Sequence, residues 1–341
     1  MTTIQIFGLI VVALLGLYVF YCLYDLNKYN NKKDRRNKHR ILTMALLIFA
    51  MTIGKGVWAQ SFIIEASHYD LYRFNQDADI EWQNYKAHTG DFNIENGKGY
   101  LYASKEDVTL TFLGTPNSDD AVNVSLSYTE GKPLAGFNLV GNPFAENATL
   151  NKSYYSMNAA GTGLVATAAD GSTPIAPCTG VIVQATEANQ SVTISKVTRG
   201  ETSTGNGSLN ISLGQAQGTM IDNAIVSFDE GSQLNKFYFG EQNANIYILQ
   251  DGKEYAIVSA EAKGEVPVNF KAKENGEYTL TVSSTLYSLL LTLSSLHLID
   301  NLAGADIDLL QTPSYTFTAR NDDYASRFKL VFNVQQGGDK S

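Results

Sequence analysis

Hydrophobic and polar residues alternate with a period of two along most of the chain between Gly99 and Phe332. Because successive side chains of a β-strand point to opposite faces, this alternation predicts half-buried strands. β-branched and aromatic residues fill the alternating positions, as is typical of strands. Clear examples are "YLYASKEDVTLTF", "NVSLSY", "GVIVQA", "SVTISKV", "NIYILQ" and "EYTLTV". The pattern predicts an all-β body.

Pairs of turn-forming residues separate these segments. Such pairs tolerate positive φ angles and close two-residue hairpins. They are Asn96-Gly97, Asp170-Gly171, Asn206-Gly207, Asp251-Gly252 and Asn275-Gly276. We expect hairpins in "NIYILQDGKEYAIV", in "KAKENGEYTLTV" and, with a longer loop, in "YTFTARNDDYASRFKLVF". Short strands punctuated this regularly favour antiparallel β-sandwich domains.

Three further stretches bear on how the body is organised. Residues 99–110 weakly resemble residues 180–194, and each copy is interpreted as one hairpin. The polar segment "GETSTGNGS", 200–208, is typical of a linker and predicts two β-sandwich-like domains, 60–200 and 201–341; a long loop inside one domain is the alternative. The Leu-rich residues 283–299 fit helical spacing but lie between strands, so we predict a buried strand with a local irregularity.

The N-terminus contains two hydrophobic runs of another kind. Residues 4–24 carry no charge over 21 positions, enough for a helix to span a bilayer. A basic loop completes this predicted transmembrane region, 1–40, and a shorter apolar run at 41–59 ends in "GKGVWAQ". Val57 and Ala59 suit cleavage of a signal peptide after Ala59. The alternatives are a retained transmembrane hairpin, or translation from an internal start that omits about the first 35 residues.

The acidic charge of the body disfavours nucleic-acid binding. Residues 1–59 hold eight of the 25 basic and two of the 34 acidic residues, so the remainder carries 17 basic and 32 acidic residues. An acidic body repels phosphate backbones, so we expect no nucleic-acid partner. With Cys22 in an apolar run, Cys178 lacks a partner; we expect no structural disulfide and interpret Cys178 as buried and inert.

Residues capable of chemistry are sparse and form no recognised catalytic pattern. We find no metal-binding spacing of histidines and no HExxH, CxxC, GxSxG or P-loop motif. The acids in "DADIE" (77–81) and in "ADIDL" (305–309) alternate, so on an extended chain each set would share one face. Such faces could bind calcium or serve acid–base chemistry, but solvated strand faces are the more common outcome. We therefore predict no catalytic residue, no metal ligand and no cofactor.

Aromatic residues offer the one candidate for ligand binding. Planar rings on a sheet can form a platform for sugars, although in β-rich chains they more often pack across strands. Tyr69 and Tyr72 belong to the same aromatic-rich region. The residues predicted to contact a ligand are Trp82, Tyr85, Tyr100 and Tyr102.

One motif suggests a lineage. The stretch "GFNLVGNPFAENATL", 136–150, is followed by "STPIAPCTGVIVQATEANQSVTIS", 172–195. We interpret the first as a packed strand ended by Pro143, which lacks a backbone donor, with Phe144 folding back onto the core. An anion-binding loop is the less favoured interpretation, because it would need a helix after its glycine. Together the two stretches resemble a recurrent module of exported surface proteins of the Bacteroidetes, which are adhesin-like or associated with type IX secretion. The resemblance extends over about residues 90–333, without an evident C-terminal sorting domain.

The resemblance implies a β-rich architecture and an address in the cell envelope, on the outer surface or outside the cell. It transfers no catalytic residue. We therefore expect a non-enzymatic adhesion or structural module; the alternative is a carbohydrate-binding or glycan-processing accessory protein. Expected partners are surface glycans or envelope proteins, and the membrane itself if the N-terminal segment is uncleaved.

Overall fold

A computed structural model of the chain describes most of the body. The described residues are 61–64, 69–88, 93–104, 110–113, 117–158, 161, 163–170, 173–197, 206–215, 220–239, 244–285, 289 and 292–334, with only the backbone at 61–64 and 110–113. The predicted transmembrane region, the signal-like segment and most of the predicted linker lie outside them. In the described part, no helix is long and apolar enough to cross a bilayer.

Two compact units divide the chain. One comprises Met1–Ser61 and Phe112–Gly114, and little of it is described. The other comprises Phe62–Thr111 and Thr115–Ser341. This second unit includes residues on both sides of the predicted linker.

Strands account for nearly all regular structure. The first twelve are β1 (Ser61–Ile64), β2 (Tyr69–Phe74), β3 (Trp82–Asn84), β4 (Leu101–Ser104), β5 (Leu110–Leu113), β6 (Ala121–Ser125), β7 (Phe137–Gly141), β8 (Ala148–Leu150), β9 (Tyr154–Met157), β10 (Leu164–Thr167), β11 (Gly180–Gln184) and β12 (Ser191–Lys196). The remaining strands are β13 (Ser208–Gln215), β14 (Met220–Ser227), β15 (Leu234–Asn235), β16 (Asn245–Gln250), β17 (Lys253–Ser259), β18 (Lys263–Lys271), β19 (Gly276–Ser284), β20 (Leu293–Asp300), β21 (Ala305–Asp308), β22 (Ser314–Ala319) and β23 (Phe328–Val334). A short 3-10 helix, Tyr85–Ala87, follows β3.

The N-terminal half, residues 69–197, contains three small sheets. Their strand orders are β3-β2-β4, β6-β12-β8 and β10-β9-β11-β7. The C-terminal half, residues 206–334, is one nearly closed, barrel-like sheet of order β21-β20-β23-β18-β16-β17-β14-β13-β19-β22, with β15 paired to β17. Antiparallel pairing dominates, and β14 with β17 is parallel. The prediction of an all-β, antiparallel body is therefore confirmed.

The predicted hairpins have mixed outcomes. β16 and β17 pair as expected, and the tip residues Asp251 and Gly252 have φ of +50° and +73°. The other two predictions are wrong, because β18 pairs with β16 and β23, while β19 pairs with β13 and β22. In each case the chain crosses the barrel to another part of the sheet after its turn. Alternation fixes which face a side chain occupies but carries no information on which strand lies beside it.

The two copies of the weak repeat are not hairpins either. β4 pairs with β2, and β5 lies outside that sheet. β11 and β12 belong to different sheets, so the segment between them crosses from one layer to another. In the Leu-rich segment, the described residues from Leu293 onward form β20 with a register irregularity between Leu293 and Ser295, as predicted, whereas Leu289 and Thr292 are helical.

Three groups of buried side chains stabilise the unit. The barrel core fills the C-terminal half and contains an aromatic cluster of Phe270, Tyr278, Phe317 and Phe328, with ring centroids of Phe317 and Phe328 4.8 Å apart. The N-terminal core lies between the sheets of β6-β12-β8 and β10-β9-β11-β7. The junction core draws on both halves; its members are Phe137, Tyr155, Leu164, Ala166, Ala168, Ile182, Ile225, Leu234, Phe237, Ala256 and Ile257.

Polar bonds across the junction core fix the two halves in register. The Asn223 side chain accepts from the backbone N–H of Ala166 at 2.8 Å and donates to its carbonyl at 2.9 Å. The Tyr155 hydroxyl donates to the carbonyl of Asn235 at 2.7 Å and accepts from the N–H of Phe237 at 3.1 Å. Because buried polar groups are costly when unpaired, these bonds specify one arrangement of the halves.

The motif at residues 136–144 has the predicted strand-and-turn geometry. β7 ends at Gly141, and Phe144 is buried in the N-terminal core. The Asn142 side chain accepts from the N–H of Phe144 at 2.9 Å and donates to the carbonyls of Glu146 and Ile175. Gly136 has φ of +78°, and a Cβ there would lie 1.8 Å from the carbonyl oxygen of Ala185. The backbone therefore requires glycine at Gly136.

Candidate ligand-binding site

The N-terminal half contains a cavity of about 380 Å³ between the end of β2, the segment before β4 and the start of β7. This volume lies at the small end of the range of about 300–1,000 Å³ found for small-molecule sites. Its described lining residues are Arg73, Phe74, Asn75, Gln76, Asn93, Glu95, Lys98, Gly99, Tyr100, Ser127, Phe137, Asn138 and Leu139. Most of them are polar, so the cavity suits a small polar ligand.

Aromatic rings connect this cavity to the rest of the molecule. Phe74 and Phe137 line it and also pack with Phe237 of the C-terminal half, at centroid distances of 6.1 Å and 4.9 Å. Trp82 packs edge-on against Phe74 at 5.1 Å. Part of the cavity wall is thus continuous with the junction core, which makes it rigid.

Gln76 is the most unusual residue of the lining, since it is only 2% exposed. Its Oε1 accepts from the backbone N–H of Gly136 at 2.7 Å and from that of Thr129 at 3.3 Å. Because only the oxygen of a carboxamide can accept these bonds, the orientation of the amide is defined. Its Nε2 is buried and has no hydrogen-bond partner among the described residues. Such an unsatisfied buried donor is uncommon in folded proteins.

Tyr100 contributes an aromatic wall to the cavity. Its hydroxyl donates to the carbonyl of Asn93 and accepts from the N–H of Glu95, both at 2.9 Å. Burial raises the pKa of the Tyr100 hydroxyl, although the hydrogen bond with Glu95 works in the opposite direction. The phenol therefore stays neutral at physiological pH, and its two bonds hold the segment that carries Glu95 and Lys98 against the cavity.

The four aromatic residues predicted from the sequence do not share one surface. Tyr102 is opposite Leu71, and Trp82 is opposite Phe74. Leu71 and Phe74 are three positions apart on β2, so Tyr102 and Trp82 lie on opposite faces of the sheet. Tyr85 lies in the 3-10 helix after β3. Of the four, Tyr100 lines the cavity, and Trp82 lies behind the ring of Phe74.

One of the two acidic clusters is placed differently from expectation. Residues 77–81 form the turn between β2 and β3 rather than an extended strand, so their acids do not share a face. Asp306 and Asp308 do lie on β21, where Asp306 is 2.8 Å from Nδ1 of His297 and Asp308 accepts from the N–H of Leu310. Within the described ranges, no group of three or more His, Cys, Asp or Glu residues is arranged to hold a metal ion.

The interpretation of Cys178 as buried is wrong. This residue is exposed and lies in the turn before β11 with φ of +59°. The preceding Pro177 belongs to the same turn, and turns lie at the surface.

Two ion pairs are buried in the C-terminal half, and their charged groups are held by several hydrogen bonds. Lys236 contacts both oxygens of Asp222, at 2.6 and 2.7 Å, and Asp222 also accepts from the N–H groups of Asn223 and Ile246. Arg327 binds Asp300 through two parallel bonds of 2.9 and 2.8 Å. Fully hydrogen-bonded pairs of this kind specify strand register and lie away from the cavity.

In comparisons with known proteins, no family model, no curated protein and no solved structure matches the chain. The site therefore has to be interpreted from its own residues. Tyr100, one of the residues predicted from the sequence, lines the cavity. Gln76, Arg73 and Lys98 also line it, and they were not predicted because the fold brings them together and they form no motif in the sequence.

Proposed function

We propose that this chain is an exported β protein of the cell envelope or outer surface that acts by binding or by structural support and not by catalysis. The observation that carries the proposal is the junction core, with its polar bonds through Asn223 and Tyr155, because it makes the two halves one rigid scaffold. Adhesion and structural modules transmit force or present a surface, and both tasks need such rigidity. The N-terminal signals and the surface-protein resemblance of the sequence are the support for the envelope address.

A finer architectural assignment belongs to the same proposal. We take the N-terminal half to be a β-sandwich, because its core draws side chains from two facing sheets, including Val124 and Ile194 from one and Val140 and Val183 from the other. Aligned sheets with such a shared core are the usual architecture of surface modules.

The experiment is localisation followed by adhesion. Intact cells of the source organism are treated with an external protease, and the protein is followed by immunoblotting in cell, envelope and medium fractions. We expect it in the envelope or medium fraction and accessible to the protease. A protein confined to the cytoplasmic fraction would contradict the proposal, as would turnover of a glycoside substrate by the purified chain.

A second candidate, a carbohydrate-binding accessory protein, is favoured by the cavity. A mostly polar lining that includes the aromatic ring of Tyr100 and a buried amide donor, Gln76, has the composition of a site for a hydroxyl-rich ligand. A glycan array with the purified chain tests it: selective binding that is lost in Tyr100→Leu supports this candidate. No selective binding to any glycan would contradict it and leave the structural proposal in place.

A further inference from the structure

The cavity has a local charge opposite to that of the surrounding body. Of its described lining residues, Arg73 and Lys98 are cationic and Glu95 is anionic. The body as a whole has 17 basic and 32 acidic residues, as counted from the sequence. Placing two cations at one small concave site within an acidic molecule favours a ligand that carries negative charge.

The Gln76 amide adds a directional requirement. Because its oxygen is occupied by the N–H groups of Gly136 and Thr129, the group can act toward a ligand only as a donor. Its nitrogen holds hydrogen atoms that no described group accepts. An acceptor such as a carboxylate or hydroxyl oxygen would satisfy this donor.

We infer that the cavity binds an acidic carbohydrate, a sugar ring bearing a carboxylate such as a uronic acid. Arg73 and Lys98 supply the positive charge, Gln76 donates to an acceptor oxygen, and the Tyr100 ring forms the apolar wall. This inference rests on the carbohydrate-binding candidate and narrows it to one class of ligand. The volume of about 380 Å³ limits the occupant to a small unit, so recognition is of a single acidic residue within a larger glycan.

Lys98 is well placed for this role. It lies directly before Gly99, whose N–H donates to the carbonyl of Leu139 at 3.0 Å, so its backbone is anchored to β7. A Cβ at Gly99 would lie 2.5 Å from the carbonyl oxygen of Val140, which shows how closely the two segments approach. The Lys98 ammonium group itself makes one long contact, 3.4 Å from the carbonyl of Ser125. It can therefore turn toward a ligand at little cost.

The test uses the full chain, purified in a mild detergent, and isothermal titration. The probes are uronic acid mono- and disaccharides and, for each, its methyl ester, which has nearly the same shape but no charge. N-acetylglycine serves as a carboxylate without a sugar. We expect the free acids to bind at least about tenfold more tightly than their esters, because the negative charge strengthens the hydrogen bonds that the carboxylate accepts.

Two variants and one control assign the binding to the cavity. Lys98→Met removes one cation and should weaken binding of the acid about tenfold while leaving binding of the ester unchanged. Gln76→Glu keeps the acceptor for Gly136 and Thr129 but loses the donor, and should weaken binding of both. Lys329→Met makes the same charge change on β23, where Lys329 pairs with Glu265 at 3.0 Å, and should alter neither.

The results distinguish binding of an acidic sugar from binding of carbohydrates in general. Equal binding of acids and esters would overturn the acidic-sugar assignment and leave carbohydrate binding intact. Absence of binding to every sugar, on this titration and on the glycan array, would overturn both. N-acetylglycine binding as tightly as the uronic acids would show that the sugar ring is not recognised. If Gln76→Glu does not fold, Lys98→Met and the ester comparison still decide, and unchanged binding of the acid in Lys98→Met would overturn the inference.

Discussion

The buried ion pair of Asp300 and Arg327 offers the sharpest test of how the C-terminal half is stabilised. Asp300 accepts five hydrogen bonds: from Nε and Nη2 of Arg327, from the Tyr315 hydroxyl, and from the backbone N–H groups of Leu302 and Ala303. Neither side chain of the pair is more than 3% exposed. The guanidinium also stacks 4.5 Å from the ring centroid of Phe317.

Replacing Asp300 with Asn keeps the volume but removes the negative charge. One amide oxygen can still serve the donors that contact Oδ1, whereas the new NH2 group faces Nη2 of Arg327 and the Tyr315 hydroxyl, which both donate to Oδ2. Two hydrogen bonds are lost, and the buried cation keeps only its longer contact with Asp323, at 3.5 Å. Such a change costs about 3–5 kcal/mol. For a unit of this size, about 2–4 °C per kcal/mol predicts a melting temperature lower by roughly 10 °C.

The assay is urea unfolding followed by circular dichroism, with Asp306→Asn as the matched control. Asp306 makes a comparable contact with His297, but its side chain is 62% exposed, so its loss should cost less than about 1 kcal/mol. We expect a large drop in the urea midpoint for Asp300→Asn and almost none for Asp306→Asn. Equal effects of the two substitutions would refute the reasoning that burial makes the Arg327 pair expensive to break.

The same pair predicts the direction of acid unfolding. Burial raises the pKa of the Asp300 carboxyl, but the hydrogen bonds from Arg327, Ala303 and Tyr315 outweigh it, and the net pKa lies below the ordinary value. A folded-state pKa below that of the unfolded chain means that the stabilisation is complete above about pH 4 and is lost as the pH falls through the folded-state pKa. The stability difference between the wild-type protein and Asp300→Asn should therefore shrink below about pH 4. A difference that stays constant down to pH 2 would contradict this assignment.

Three further outcomes follow from the geometry. Gly136→Ala should cost about 3 kcal/mol or more because its Cβ would overlap the carbonyl of Ala185, whereas Gly131→Ala, at a similar φ of +81° but in open space, should cost about 1–2 kcal/mol. Tyr155→Phe should cost about 1–3 kcal/mol in urea unfolding because the bonds to Asn235 and Phe237 are lost, and Tyr324→Phe, at an exposed position, should be neutral. Cys178 should react with a thiol reagent in the native state, as mapped by mass spectrometry; labelling that needs denaturant would contradict its exposure.

Strand positions were predictable from the sequence because they depend on local residues. The alternation in "NIYILQ" and "EYTLTV" corresponds to β16 and β19. The hairpin at Asp251-Gly252 was predictable for the same reason, since a two-residue turn with two positive φ angles brings its flanking strands side by side.

Strand partners were not predictable. Asn275-Gly276 has the same sequence signal as Asp251-Gly252, yet the strands on either side of it, β18 and β19, do not pair. The Asn275 side chain instead accepts from the N–H of Asn321. The partners of β19 are β13 and β22, and Leu280 of β19 pairs with Leu213 and Tyr315, which lie 67 and 35 positions away in sequence. Such choices depend on how the sheet closes around the barrel core, and a single sequence does not display this.

The candidate site was the least predictable feature, because its residues are far apart in the sequence. Gln76 meets Gly136 across 60 residues, and Gly136, which has a positive φ, also accepts from the N–H of Ala185 just after β11. The "GFNLVGNPF" stretch, which in the sequence signals only a strand and a turn, thus also positions the Gln76 amide at the cavity. Since Asn138 of the same stretch is bonded to Ser127 and to the carbonyl of Gly136, the motif holds three segments of the lining together. The same backbone arrangement therefore ends the strand of this motif and positions the lining of the proposed ligand site.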